Sequence, residues 1–105
     1  MFTVTFVLYE QPGKDRSTAL QHWRTTHADL VRQVPGVRRY VQQHAVGAPD
    51  GNPPFLGVAS LTFDDPAAFE TAAGSPEFGA AVADVANFAG PELPTAFTDD
   101  LVIVG

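Results

Sequence analysis

Three imidazoles, His22, His27 and His44, and two phenols, Tyr9 and Tyr40, are among the side chains of this 105-residue chain that could carry proton chemistry. His27 stands out among them. At helical spacing it shares an apolar stripe roughly 100° wide with Leu20, Trp23, Leu30, Val31 and Val34, where a leucine would pack at lower cost. A neutral imidazole there can take or give a proton near pH 7, which suits general acid–base chemistry on an enolisable or phenolic ligand. The alternative is a core histidine satisfied by one backbone or hydroxyl partner.

Tyr40, Gln42 and His44 alternate along an extended segment, so one sheet face carries a hydroxyl, an amide and an imidazole in a row. Such a row is costly to bury unpaired, so it either lines a wet pocket or faces solvent at a sheet edge. Tyr40 can donate to a carbonyl oxygen and stabilise developing enolate charge. Trp23 either fills core volume or forms a pocket wall, and Tyr9 either packs or places its hydroxyl at a pocket mouth. His22 falls outside the apolar stripe and is expected to be exposed, with no site role.

Several chemistries are excluded. With no cysteine, thiolate nucleophiles, thiolate metal sites and disulfides are absent. His22 and His27 lie five positions apart, about 140° around a regular helix, so they are not expected to bind one metal ion together. Gly13 is isolated and Gly47 to Gly51 opens no helix, so no nucleotide loop is expected, and no cofactor is called for. No G-x-S-x-G nucleophile motif occurs. The net charge is −6, and the six basic residues all lie at or before Arg39, a surface that repels a phosphate backbone. The apolar start from Phe2 to Tyr9 is too short for a membrane span and lacks a basic leader, which makes the cytoplasm the default location.

The elements that must position these groups follow from periodicity and turn chemistry. Phe2 to Tyr9 alternates as a first strand. Asp15 or Ser17 caps a long helix reaching Gln33, and Pro35-Gly36 stops it. Val37 to Val46 and Phe55 to Phe63 read as the second and third strands, separated by a Gly- and Pro-rich loop. Asp65-Pro66 starts a short helix and Ser75-Pro76 restarts it. Thr95 to Val104 is expected as a fourth strand, with a bend at Asp99-Asp100.

The predicted order is β-α-β-β-α-β, a ferredoxin-like α+β domain over 1–105 with a four-stranded antiparallel sheet and both helical regions on one face. The opposite face has no cover within the chain although apolar residues occur at both parities of the first and third strands. A second copy is therefore expected to pair with it, sheet to sheet, in a two-fold homodimer.

Three segments, LYEQPG, HWRTTHADLVRQVPGVRRYVQQH, and FLGVASLTFDDPAAFETAAGSPEF followed by ANF, resemble the EthD-like family over nearly the whole chain. The most specific part is the spacing of Trp23, His27, Pro35-Gly36 and Tyr40, reinforced by the Ser75-Pro76 restart. The resemblance implies a dimeric α+β barrel, related to stress-responsive barrels and to small cofactor-free monooxygenases. It implies His27 and Tyr40 as catalytic residues beside a small apolar ring compound or lactone. Trp23, Tyr9, Gln42 and His44 would complete the ligand site. The family includes a protein associated with ether degradation and a lactone methyl isomerase, so isomerase, lyase and oxidoreductase chemistry all remain open. Two departures are visible: Glu10 stands where the family often has a basic residue, and the cysteine used by the isomerase has no counterpart. A non-catalytic ligand carrier is the alternative to an enzyme, and a purely structural dimer module is a third reading.

Overall fold

The computed structural model describes residues Met1–Gly105. It contains β1 (Phe2–Leu8), α1 (Arg16–His22), a π-helical turn (Trp23–His27), α2 (Ala28–Arg32), β2 (Arg39–His44) and β3 (Gly57–Phe63). These are followed by α3 (Pro66–Ala73), α4 (Pro76–Asp84), a 3-10 turn (Val85–Asn87) and β4 (Thr95–Thr98). The strands form one antiparallel sheet in the order β2-β3-β1-β4, as the β-α-β-β-α-β pattern requires.

Local chemistry sets the helix starts. The side chains of Asp15, Asp65 and Ser75 accept from the N–H groups of Thr18, Ala68 and Phe78, and Pro66 and Pro76 occupy first-turn positions that need no donor. After Pro35 the chain reverses through Gly36 at φ 80, a left-handed conformation that favours glycine.

The expected fourth strand is shortened. Its register pairs Thr3 with Thr98, so residues after Thr98 run past the start of β1 and have almost no ladder left to join. Asp99 to Gly105 therefore stand outside the sheet, and Leu101, Val102, Ile103 and Val104 are all exposed.

Strand alternation divides the sheet into two faces. One carries Val4, Phe6 and Leu8 from β1, Ala59, Leu61 and Phe63 from β3, and Tyr40, Gln42 and His44 from β2. The helices cover this face, giving one cluster around Val4, Val31, Leu61 and Phe63 and a second around Leu8, Trp23, Leu56 and Phe88. The other face carries Thr3, Thr5, Val7, Val41, Val58, Ser60 and Thr62, with Ala96 and Thr98. Hydroxyls pair on it: Thr3 with Thr62 at 3.0 Å and Thr5 with Thr98 at 2.7 Å.

Trp23 is fully buried where the helix crosses β3, and Gly57 creates its seat. A Cβ at Gly57 would lie 2.6 Å from the indole edge and collide with the Gln43 carbonyl. Gly57→Ala should therefore destabilise the protein by about 1–3 kcal/mol, the cost of overpacking, and displace the indole. Urea unfolding and the fluorescence of the sole tryptophan check both effects; an unchanged midpoint would show that the seat is not tight.

Candidate functional site

The helix leaves α geometry at the residues expected to do chemistry. The Ala28 N–H reaches the Trp23 carbonyl, an i to i+5 bond that widens the turn over Trp23–His27. Residues five apart then lie about one turn from each other, instead of on divergent faces. His22 and His27 consequently converge, which corrects the expectation that His22 stands alone in solvent.

Their meeting point is Asp84, at the end of α4 and only 8% exposed. His27 Nδ1 lies 2.9 Å from Asp84 Oδ2, and His22 Nε2 lies 3.0 Å from both carboxylate oxygens. Asn87 Nδ2 donates to Oδ1 at 2.9 Å, so three side chains address one buried carboxylate. Burial alone would raise the Asp84 pKa; the bonds from Asn87, His22 and His27 outweigh it and hold the group below its ordinary value of 3.8. The α1 approach braces this corner: Gln11 Nε2 donates to the Ala86 and Ala89 carbonyls and Lys14 Nζ to the Asn87 carbonyl.

His27 is itself buried, and burial pushes its pKa below 6.5 despite the opposing pull of Asp84. The ring is therefore neutral at pH 7, with Nδ1–H donating to Asp84 and Nε2 left without a hydrogen bond. It lines a narrow, half-open cavity of about 40 Å³ between helices and sheet. Thirteen of the fourteen lining residues are apolar or aromatic, including Phe6, Leu61, Phe78 and Val85; His27 is the exception.

Tyr40 lines the same cavity, and its row lies on the edge strand β2 with Tyr40, Gln42 and His44 each partly buried. Gln42 Nε2 donates to the Tyr40 oxygen at 2.7 Å and to the Trp23 carbonyl at 2.8 Å. His44 Nε2 donates to Gln42 Oε1 at 2.7 Å, which fixes the amide orientation, and the His44 ring stacks on Trp23 at 4.5 Å. Burial and then the nearby Arg24 guanidinium lower the His44 pKa. Burial raises the Tyr40 pKa above 10.0, against smaller opposing contributions from Gln42 and the Trp23 side chain.

The structure thus places His27, Tyr40 and Trp23 on the cavity and sets Gln42 and His44 behind Tyr40. Tyr9 does not line it: it sits past the end of β1, where its carbonyl receives the Gly90 N–H. Asp84 was not singled out by the sequence reading. A signal existed, because an acid three residues after Ala81 and four before Phe88 falls on the inward side of a helix. His22, His27 and Asp84 converge without forming a three-ligand metal cluster.

A four-stranded antiparallel sheet with helices on one face makes this a ferredoxin-like α+β domain. The EthD domain family profile matches residues 11–92, and the chain belongs to that family. It is 37% identical over 105 residues to an uncharacterized 11.0 kDa protein in the thcB-thcC intergenic region of Rhodococcus erythropolis, covering 99% of both chains. An ethyl tert-butyl ether D (EthD) family protein from Bacillus halodurans is 31% identical, with a TM-score of 0.81 over 96% of this chain and 100% of that one. A dimeric ferredoxin-like protein of unknown function from Thermobifida fusca shares the fold at 14% identity, TM-score 0.74, over 92% and 88% of the two chains. No helix is long and apolar enough to cross a membrane.

The shared carboxylate makes the His27 titration adjustable in both directions. Asp84 raises the His27 pKa and His22 lowers it, so Asp84→Asn should move the ring's NMR titration to lower pH and His22→Gln to higher pH. Shifts in the opposite sense would refute the arrangement. Because the folded-state pKa of His27 is depressed, its stability contribution is full above pH 6.5 and is lost as pH falls through the folded value.

Proposed function

We propose that the chain is a cofactor-independent acid–base enzyme of the cytoplasm, acting on a small apolar ring compound or lactone, with His27 as base and Tyr40 as donor to the ligand's carbonyl oxygen. The observation that carries this reading is the unbonded His27 Nε2 at an otherwise apolar cavity, with Asp84 fixing its tautomer from behind. Asp84 holds the ring orientation and offsets the positive charge that appears when His27 takes a proton. Isomerisation, elimination and oxygenation can each begin from such a proton transfer.

Solvent deuterium exchange at the carbon next to the carbonyl, followed by NMR over a panel of cyclic ketones and unsaturated lactones, tests this without knowledge of the product. The native protein should accelerate exchange, and His27→Gln should lose about 10²–10⁴-fold of that rate while keeping ligand affinity. Equal rates would remove His27 as the base. Ligand affinity without exchange in either protein is the result a carrier would produce.

We further propose that the active form is a homodimer joined through the outer sheet faces. That face is built mainly from β-branched and hydroxyl residues, with Gln43 and the charge of Arg39 on its β2 margin, and its four threonine hydroxyls already bond each other in pairs, which lowers the cost of burying them. The exposed run Leu101–Val104 offers further apolar surface to a second copy. Sedimentation should give about twice 11.2 kDa at micromolar concentration, and Ser60→Asp should shift it to one copy. A native monomer would refute the proposal.

A further inference from the structure

The row behind Tyr40 leaves little choice in where its hydrogens point. The Trp23 carbonyl can only accept, so the amide group that Gln42 turns toward it at 2.8 Å must be the NH2. The second hydrogen of that NH2 goes to the Tyr40 oxygen at 2.7 Å. Gln42 Oε1 then faces His44 Nε2 at 2.7 Å and can only accept, so His44 carries its hydrogen on Nε2 and a lone pair on Nδ1. Arg24 Nη2, a pure donor, lies 3.4 Å from that Nδ1. A network that ends in a carbonyl on one side and a guanidinium on the other thus fixes every proton between them.

The consequence falls on the phenol. Its oxygen already receives a hydrogen bond, and its own hydrogen has no acceptor within the protein. Burial raises the Tyr40 pKa most, while the Gln42 bond pulls it back, as a donor held against the oxygen must. The row is also braced against rearrangement. The His44 ring lies 8° from parallel to the Trp23 indole at 4.5 Å, and burial, then Arg24, keep its pKa below 6.5, so at pH 7 it is neutral and retains the Nδ1 lone pair.

We infer that Gln42 is a positioning residue that sets the polarity of the cavity: it holds Tyr40 as a hydrogen-bond donor, so the site selects apolar rings that bring an acceptor oxygen to the phenol. His44 supports Gln42 from behind. This rests on the reading of Tyr40 proposed above and narrows its ligand. The two polar groups on the cavity have opposite character, because Tyr40 has a hydrogen to give and His27 Nε2 has a lone pair without a hydrogen bond. A cyclic ketone or lactone with a C–H beside its carbonyl meets both demands. A ring bearing only an N–H or O–H donor toward Tyr40 finds the phenol oxygen already engaged and leaves the phenol hydrogen unpaired.

Cyclopentanone labelled with carbon-13 at its carbonyl is the probe, and Gln42→Glu and Gln42→Met are the variants. Glu keeps the side-chain shape but presents an oxygen to the Tyr40 hydroxyl, which then donates to it; Met keeps the length and presents no hydrogen-bonding group of comparable strength. In the native protein the bound carbonyl resonance should lie downfield of its position in Tyr40→Phe. Gln42→Glu should lose that displacement and bind the probe about 3–10-fold more weakly, the effect of one hydrogen bond, whereas Gln42→Met should keep most of it. A merely structural role would weaken both variants alike. A Gln42→Glu protein with the native resonance would overturn the inference, as would equal losses in the two variants or a probe that does not bind the native protein. Should a variant fail to fold, the native protein decides: long-range proton–nitrogen spectra should show His44 as the Nε2–H tautomer, and the Nδ1–H tautomer would overturn the inference. Deuterium exchange is read separately. Exchange by a protein that fails these tests leaves the acid–base reading standing, and a displaced carbonyl resonance without exchange counts against that reading only.

Discussion

The widened turn at Trp23–His27 is the constraint from which the candidate site follows. A regular helix would point His22 and His27 about 140° apart and separate them from any common partner. The i to i+5 bond from Ala28 to Trp23 realigns them, and both rings reach the Asp84 carboxylate. The same turn presents the Trp23 carbonyl to Gln42 and so links the helix to the β2 row that holds Tyr40. Backbone irregularity here joins two side-chain networks that would otherwise be independent.

Those networks answer a common electrostatic problem from opposite sides. A proton moving across an apolar cavity would leave positive charge on one group and negative charge on another, among side chains that solvate neither well. Behind His27 stands a carboxylate kept ionised by three donors. Behind Tyr40 stands an amide whose orientation is set by His44. The cavity wall is apolar, and its polar support lies one layer further back.

Most of the architecture could be read before folding was considered. Alternation in Phe2 to Leu8, the capping residues Asp15, Asp65 and Ser75, and the stop at Pro35-Gly36 are local effects, each contained within a few residues. They sufficed for the element order, the antiparallel sheet and the inward face of the first helix. The length of β4 was not local: it depends on where β1 begins to offer partners, and the apolar run after Asp100 carries no information about that register.

The sequence alone therefore determined the family, the order of elements, and the choice of His27 and Tyr40 as residues facing the helix–sheet interior. Tertiary structure decided which groups stand behind them. Helical arithmetic assumes one constant angle per residue, and the π turn breaks that assumption at His22. Asp84 is 57 residues from His27 in the chain, a separation at which no periodicity speaks. The pairing arises because packing α4 against the first helix buries a carboxylate that must find donors, and the two imidazoles join Asn87 as the donors within reach.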